Sequence, residues 1–355
     1  MEYNAMKPIG GEFWFQLDEF NNKNKSETEG TLLSGGQSAI KFILDKINLE
    51  KDEVMLLPAY LCPSILQWFN KKRLNIVFYK INSDLSIDLD YLRMCVDKNK
   101  VKAIFFINYF GFYHNDDTLT QLEKFKNDGI ILIEDAVQML WKEPSKKFIG
   151  NFVFNSLRKF VPIDGSIVVG CSDKLKTEEV DDYLSLMYKA RMSKTLYQCF
   201  GIGKEEEFLG IFNSAEECYY KREEYQLIDK QSLDLINRLD IEFIKDRRQE
   251  NYIYLINELN NHGVKSLFQY SDGAIPVGLP ILVNNRDVIR KELRRKNIYC
   301  PVHWDIRNEY WVKDFTDSYN IADKILTLPI DQRYDKVDMD RLIGELVGLI
   351  EQYKY

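Results

Sequence analysis

Lys159 closes the tetrapeptide Ser156-Leu157-Arg158-Lys159, after an apolar segment at 152–154 and before a turn-forming Pro162-Ile163-Asp164-Gly165. A lysine amine held in an apolar setting is a nucleophile toward carbonyl carbon. Lysines are abundant and mostly solvated, so S-x-x-K alone discriminates little. A second group changes its standing: Asp135 ends the apolar run Ile131-Leu132-Ile133-Glu134-Asp135, ahead of Ala136-Val137-Gln138. A carboxylate that ends a buried strand needs a cationic or donor partner. A protonated pyridine nitrogen meets that need, and so does an arginine. An amine and a carboxylate on neighbouring strand ends suit pyridoxal 5'-phosphate, with Lys159 as Schiff-base lysine and Asp135 keeping the ring nitrogen protonated.

Further segments must position such a group. Ser34-Gly35-Gly36-Gln37-Ser38 opens a helix expected at 37–47, where Ile40, Ile43, Leu44 and Ile47 share one face. The free N–H groups and positive dipole end of that helix would cradle a phosphate at Gly36 and Gln37; a plain N-cap with a glycine pair is the alternative. Leu57-Pro58-Ala59-Tyr60-Leu61-Cys62-Pro63-Ser64 follows a strand and falls where ligands bind in open α/β sheets. There Tyr60 either faces a cofactor ring or packs, and Cys62, with no histidine near it in sequence, reads as a small hydrophobe. Asn108-Tyr109-Phe110-Gly111 ends another strand, its aromatics core or pocket wall. Gln138, three residues past Asp135, either meets a ring hydroxyl or is a surface amide.

Short apolar runs alternating with amphipathic segments predict a mostly parallel sheet covered by helices, with strands at 53–58, 74–81, 101–109, 129–134 and 166–170. Between about 173 and 235 the pattern turns to charged helical stretches, whose acidic runs Glu178-Glu179 and Glu205-Glu206-Glu207 read as solvated faces. A long helix at 241–259 leads to a strand at 278–283, a helix at 285–296 and a closing helix at 338–353. At 355 residues two domains are expected, 1–235 and a smaller α+β unit, 236–355. A net charge of -7 disfavours a nucleic-acid or anionic-membrane surface. Six cysteines without a C-x-x-C pair and three scattered histidines suggest reduced thiols and no metal site. With no secretory pattern and no membrane-length apolar run, a cytoplasmic protein is expected.

Taken in order, these segments resemble the DegT/DnrJ/StrS family of pyridoxal-phosphate sugar aminotransferases. Ser34 to Ile40 is similar to the family's S-G-T-x-A-L, Glu134 to Gln138 to its E-D-A-A-Q, and Lys159 to its Schiff-base lysine. The stretches Asn297-Ile298-Tyr299-Cys300-Pro301-Val302-His303-Trp304 and Leu326-Thr327-Leu328-Pro329-Ile330 look like matching C-terminal segments. The resemblance runs over nearly the whole chain. It implies the α/β type I fold, a homodimer, and a reaction from an amino donor such as glutamate to a keto-sugar, nucleotide-linked, in amino-sugar or surface-polysaccharide biosynthesis. By it, Lys159 and Asp135 are catalytic, Gln138 approaches the ring hydroxyl, and Gly36 and Gln37 meet the phosphate. The chain departs from the pattern at Phe154, where the family has a serine five residues before the lysine, so Ser156 takes that contact. It departs again at Cys62, near where a stacking aromatic is expected, which leaves Tyr60 as substitute. The rivals are a non-catalytic relative that binds a sugar nucleotide or partner, and sugar dehydration. Dehydratase relatives carry histidine in place of the lysine, so Lys159 argues against the latter. His303, Trp304, Tyr310 and Trp311 line an acceptor site or pack between domains, and Arg158 meets phosphate or solvent.

Overall fold

Runs of valine, isoleucine, leucine and phenylalanine without polar alternation form strands covered on both faces, and such runs make the centre of the fold. The computed structural model describes residues 7–22, 28–142, 145–171, 176–271 and 274–353. The strands are β1 (Ile9–Gly10), β2 (Thr31–Leu33), β3 (Val54–Pro58), β4 (Ile76–Tyr79), β5 (Val101–Ile107), β6 (Ile131–Asp135), β7 (Phe152–Phe154), β8 (Ser166–Val169), β9 (Leu279–Leu282), β10 (Ile298–Tyr299) and β11 (Ile325–Leu328). Seven make the main sheet, in the order β2-β8-β7-β6-β5-β3-β4. Strands β7, β6, β5, β3 and β4 run parallel, and β8 is antiparallel to both its neighbours. The expected strands correspond to β3, β4, β5, β6 and β8, and the sheet is mostly parallel as predicted. Chain order runs outward from β3 to β4 and the other way from β5 to β7, so a crevice opens between the carboxyl ends of β3 and β5. Two small pairs, β11 with β9 and β1 with β10, complete the strands; the second ties the amino-terminal arm to the C-terminal part.

The helices are α1 (Gly36–Lys46), α2 (Leu66–Lys71), α3 (Leu89–Lys98), α4 (Asp116–Asn127), α5 (Asp182–Phe200), α6 (Glu205–Tyr220), α7 (Lys230–Arg238), α8 (Ile241–Asn261), α9 (Arg286–Arg295), α10 (Thr316–Lys324) and α11 (Lys336–Gln352). Their starts follow local chemistry: Asp88 and Asn115 cap α3 and α4, and Asp335 with Asp338 forms a capping box on α11. The main apolar core joins α1 and the sheet to α8, α9 and α11 without a break. Helices α5 and α6 form a hairpin with a separate small core around Tyr183, Met187, Phe208 and Phe212. The acidic runs at 178–179 and 205–207 are exposed, as the charge pattern predicts. Residue 235, the expected boundary, falls inside α7, and the break in regular structure comes at Leu239-Asp240. The first residues of the expected arm (1–6) and of the charged stretch (173–175) lie outside the described residues. No described helix is long and apolar enough to cross a membrane.

Candidate active site

Two adjacent carboxylates at the end of β6 meet different environments, because successive side chains leave a strand on opposite faces. Glu134 receives the N–H groups of Ile149 and Gly150 at 2.9 and 2.8 Å and the Asn108 amide at 2.8 Å. Asp135 is as buried, yet among the described residues it receives one hydrogen bond, from Val137 N–H at 2.9 Å. Burial pushes its carboxyl from 3.8 up to about 7, against the pull of that N–H and of Lys159. The site holds a carboxylate built for one further cation.

Gln138 is positioned by the turn after β5. Its Oε1 accepts the Phe110 N–H at 2.7 Å, which leaves Nε2 buried without a partner among the described residues. That turn needs its sequence: Phe110 and Gly111 have φ of 56 and 92 degrees, and a Cβ at Gly111 would sit 2.6 Å from the Gln138 carbonyl oxygen.

After β7 the chain passes through Asn155 and Ser156 into a single 3-10 turn, Leu157–Lys159, held by Leu157 N–H to Gly165 O at 2.9 Å. Phe154 packs in the core against Phe105, and Ser156, also buried, lines the smaller of two cavities. A Cβ built on Gly36 would lie 3.6 Å from both Ser156 Cβ and Val137 Cγ2, so three distant segments converge where α1 begins. No side chain caps α1, and its first N–H groups have no intrahelical acceptors. Gln37 is braced by its Nε2 on Ser64 O and Oγ at 3.0 and 3.1 Å, with Oε1 buried and unpartnered.

The Lys159 amine makes no hydrogen bond or ion pair to a described residue. Burial first, then the Arg158 guanidinium, lower its pKa, against Cys62, Glu12 and Asp135. Lys159, Arg158 and His303 stand between two cavities. The smaller, about 120 Å³, is lined by Gly36, Gln37, Cys62, Asp135, Gln138 and Ser156 among others. The larger, about 390 Å³, lies between the amino-terminal arm (Gly10 to Phe13) and C-terminal residues including Arg290, Arg294, Thr327 and Pro329. His303 is buried, with Nδ1 2.9 Å from Thr327 Oγ1, and burial and Lys159 push its pKa down to about 3, so its ring is neutral in the working range.

For Tyr60 the structure shows the packing alternative. Tyr60 lies fully buried outside both cavities, its hydroxyl donating to His303 O and accepting from Trp304 N–H at 2.8 Å. The ring is wedged between Tyr109 and Trp304. A buried hydroxyl needs partners, and this one finds them in the main chain at His303 and Trp304. The aromatic cluster divides in two: His303 and Trp304 reach the small cavity, whereas Trp311 stacks on Phe78 at 4.9 Å and bonds Ala59 O. Arg158 faces both cavities, held by Tyr183 Oη at 3.3 Å and the Tyr219 ring. Sequence reasoning missed Glu216, Tyr219 and Tyr220, which α6 brings to the small cavity. Their signal was faint: two tyrosines ending an acidic helix.

These residues fit a phosphorylated pyridine aldehyde. An open helix start with Ser156 offers anion donors and, among the described residues, Asp135 has no ion-paired cation, Gln138 Nε2 has no acceptor and the Lys159 amine has no hydrogen-bond partner. A family model described as the DegT/DnrJ/EryC1/StrS aminotransferase family matches residues 18–347. Solved structures of similar fold include a DegT DnrJ EryC1 StrS aminotransferase from Brucella abortus, at 16% identity and TM-score 0.63, covering 97% of this chain and 91% of that one. Another is DesV of S. venezuelae in complex with a ketimine intermediate, at 14% and 0.63, covering 98% and 91%. A third is PseC of Helicobacter pylori, an aminotransferase involved in pseudoaminic acid biosynthesis, at 14% and 0.65, covering 98% and 100%. No curated protein matches the chain significantly by sequence.

Proposed function

Because the chain belongs to the DegT/DnrJ/EryC1/StrS aminotransferase family, has the type I fold and is a pyridoxal-5'-phosphate-dependent enzyme, we propose that it moves an amino group from glutamate to a nucleotide-linked keto-sugar, in amino-sugar or surface-polysaccharide biosynthesis. The observation that carries this reading is the unpaired Lys159 amine at the junction of two cavities, one fitted to the cofactor and one open to substrates. Pyridoxal phosphate, when bound, carries the amino group between the two half-reactions and acts as the electron sink. Lys159 would hold it covalently and, as a free amine, would move the proton at the donor α-carbon; its lowered pKa suits it to act as a base. Asp135 would hold the proton on the ring nitrogen, Gln138 would donate to the ring hydroxyl, and Gly36, Gln37 and Ser156 would hold the phosphate. His303, neutral and fixed by Thr327, closes the site toward the C-terminal part. Exposed Met192, Phe200 and Ile202 on the α5–α6 hairpin support a homodimer, and six free thiols suit the cytoplasm.

Glutamate added to the cofactor-loaded protein is expected to release one 2-oxoglutarate per subunit. Borohydride reduction is expected to fix the cofactor on the peptide containing Lys159, and Lys159→Ala to abolish that attachment with a fall in amino transfer of at least about 10⁴-fold. A protein that takes up no pyridoxal phosphate, or gives no oxo acid from any amino acid, would overturn the reading.

A further inference from the structure

The six free cysteines differ in where the fold puts them. Cys95 and Cys300 are buried, Cys199 is exposed near the end of α5, and Cys62, Cys171 and Cys218 are half-buried. Among the described residues Cys62 is the one cysteine that lines the smaller cavity, with Asp135, Gln138 and Lys159. The loop that carries it is fixed on both sides. Tyr60 is pinned to the main chain at His303 and Trp304, and the 3-10 turn Pro63–Ile65 starts at the next residue, with Ile65 N–H on Cys62 O at 3.0 Å.

The sulfur is also connected to the helix start opposite. Cys62 Sγ lies 3.1 Å from Ser64 Oγ, and that hydroxyl accepts from Gln37 Nε2, at 3.1 Å, on the second residue of α1. A short relay therefore runs from the thiol to the N–H groups that would meet the cofactor phosphate. The cavity points to a ligand independently of the thiol, because Gln138, only 3% exposed, lines it with Nε2 unpartnered among the described residues. A half-buried sulfur in such a wall is open to small electrophiles when the space is empty and covered when it is filled.

Resting on the aminotransferase reading, we propose that Cys62 is a modification site that governs cofactor loading: hydrogen peroxide or another small soft electrophile reaches the thiol only in the empty cavity, and the modified sulfur keeps pyridoxal phosphate out. With peroxide the sulfur attacks one oxygen, so that the S–O bond forms as the O–O bond breaks. The departing hydroxide takes the thiol proton and leaves as water; sulfur gives up two electrons and the peroxide takes them. Two equivalents of an added thiol return the sulfenic acid to the thiol, and leave as their disulfide with one water. The added group takes up ring space and disturbs the Ser64 and Gln37 bracing at the start of α1.

The full chain, with and without bound pyridoxal phosphate, is treated with iodoacetamide and each cysteine peptide is followed by mass spectrometry. Labelling of Cys62 is expected to be at least about tenfold slower in the loaded protein, while exposed Cys199 labels equally in both and serves as reference. By fluorescence titration the labelled protein is expected to have lost about tenfold or more of its cofactor affinity, whereas C62A and C62S titrate alike before and after the treatment. Peroxide is expected to reproduce the loss and dithiothreitol to reverse it. Equal labelling of Cys62 with and without cofactor overturns the proposal, as does treated protein, by either reagent, that loads as well as untreated protein. A loss that persists in C62A also overturns it, because the reactive group would then lie elsewhere. The wild-type labelling decides the matter even where neither variant folds. A chain that takes up no pyridoxal phosphate refutes the aminotransferase reading itself, whereas one that loads and leaves Cys62 unprotected refutes this site alone.

Discussion

The two cavities that meet at Lys159 are built by different means. The smaller is framed by main chain: the ends of β5 and β6, the start of α1 and the turn after β7, with Asp135 and Gln138 each braced by one backbone N–H. The larger is framed by long side chains held in ion pairs and carbonyl contacts, such as Arg333 with Asp331 and Glu12 O, and Arg290 with Cys300 O. A backbone frame gives fixed geometry and little freedom to vary, which suits an invariant cofactor. A side-chain frame can be re-cut by single substitutions, which suits an acceptor that differs between enzymes.

The sharpest way to break that comparison is to change the small cavity without changing its shape. Asp135→Asn keeps the Val137 N–H acceptor and removes the charge, and amino transfer is expected to fall by about 10²-fold or more. The cofactor-free protein carries a second signature. Asp135 has a folded pKa raised from 3.8 to about 7, so its contribution to stability is full below about pH 4 and is lost as pH rises through 7, on the order of 4 kcal/mol at most. Glu19, raised to about 8 by burial, adds a slope of the same sign in both proteins, so the difference between them isolates Asp135. Urea titrations from pH 4 to 8 should show the wild type losing stability faster than the variant; parallel curves would mean that Asp135 is not the strained group.

A smaller effect tests whether backbone geometry holds Gln138. Gly111→Ala places a methyl 2.6 Å from Gln138 O at a φ of 92 degrees. Strain and displacement are expected to weaken pyridoxal phosphate binding, by about 1–3 kcal/mol. Fluorescence titration of the cofactor measures it. Unaltered affinity with unaltered stability would show that the turn can shift and that the small cavity is softer than its contacts suggest.

What was legible follows the same division. Asp135, Gln138 and Lys159 could be placed because strand ends, a short turn and a three-residue spacing are local properties. The ordered set also matched a known family. Ser156 was put forward in place of Phe154 by the family resemblance, and Phe154 lies in the core. Tyr60 stayed open between ring contact and packing because its partners, His303 and Trp304, are more than 240 residues away; position after a strand says nothing of which group will claim a hydroxyl. Tyr219 and Tyr220 were hidden by the acidic start of α6, whose solvated face is real at Glu205 to Glu207 but ends before the cavity. Arg290 and Arg294 look in sequence like any charged helix face. Their place at the larger cavity, with no carboxylate within ion-pair distance among the described residues, is displayed only by the folded chain.

Tyr60 gives the mildest test, at the joint between the two frames. If its ring faced the cofactor, Tyr60→Phe would keep that face and change nothing. In the structure the hydroxyl joins the loop after β3 to the main chain at His303 and Trp304. Removing it leaves a buried N–H and carbonyl short of a partner, which costs about 1–3 kcal/mol. The variant is therefore expected to melt earlier while its cofactor absorbance and glutamate half-reaction stay within about twofold of the wild type. The loss should be felt next in the acceptor half-reaction, because His303 lines the larger cavity as well as the smaller. A phenylalanine variant as stable as the wild type would mean that the two frames are joined elsewhere, through Trp311 and Ala59 or through β1 and β10.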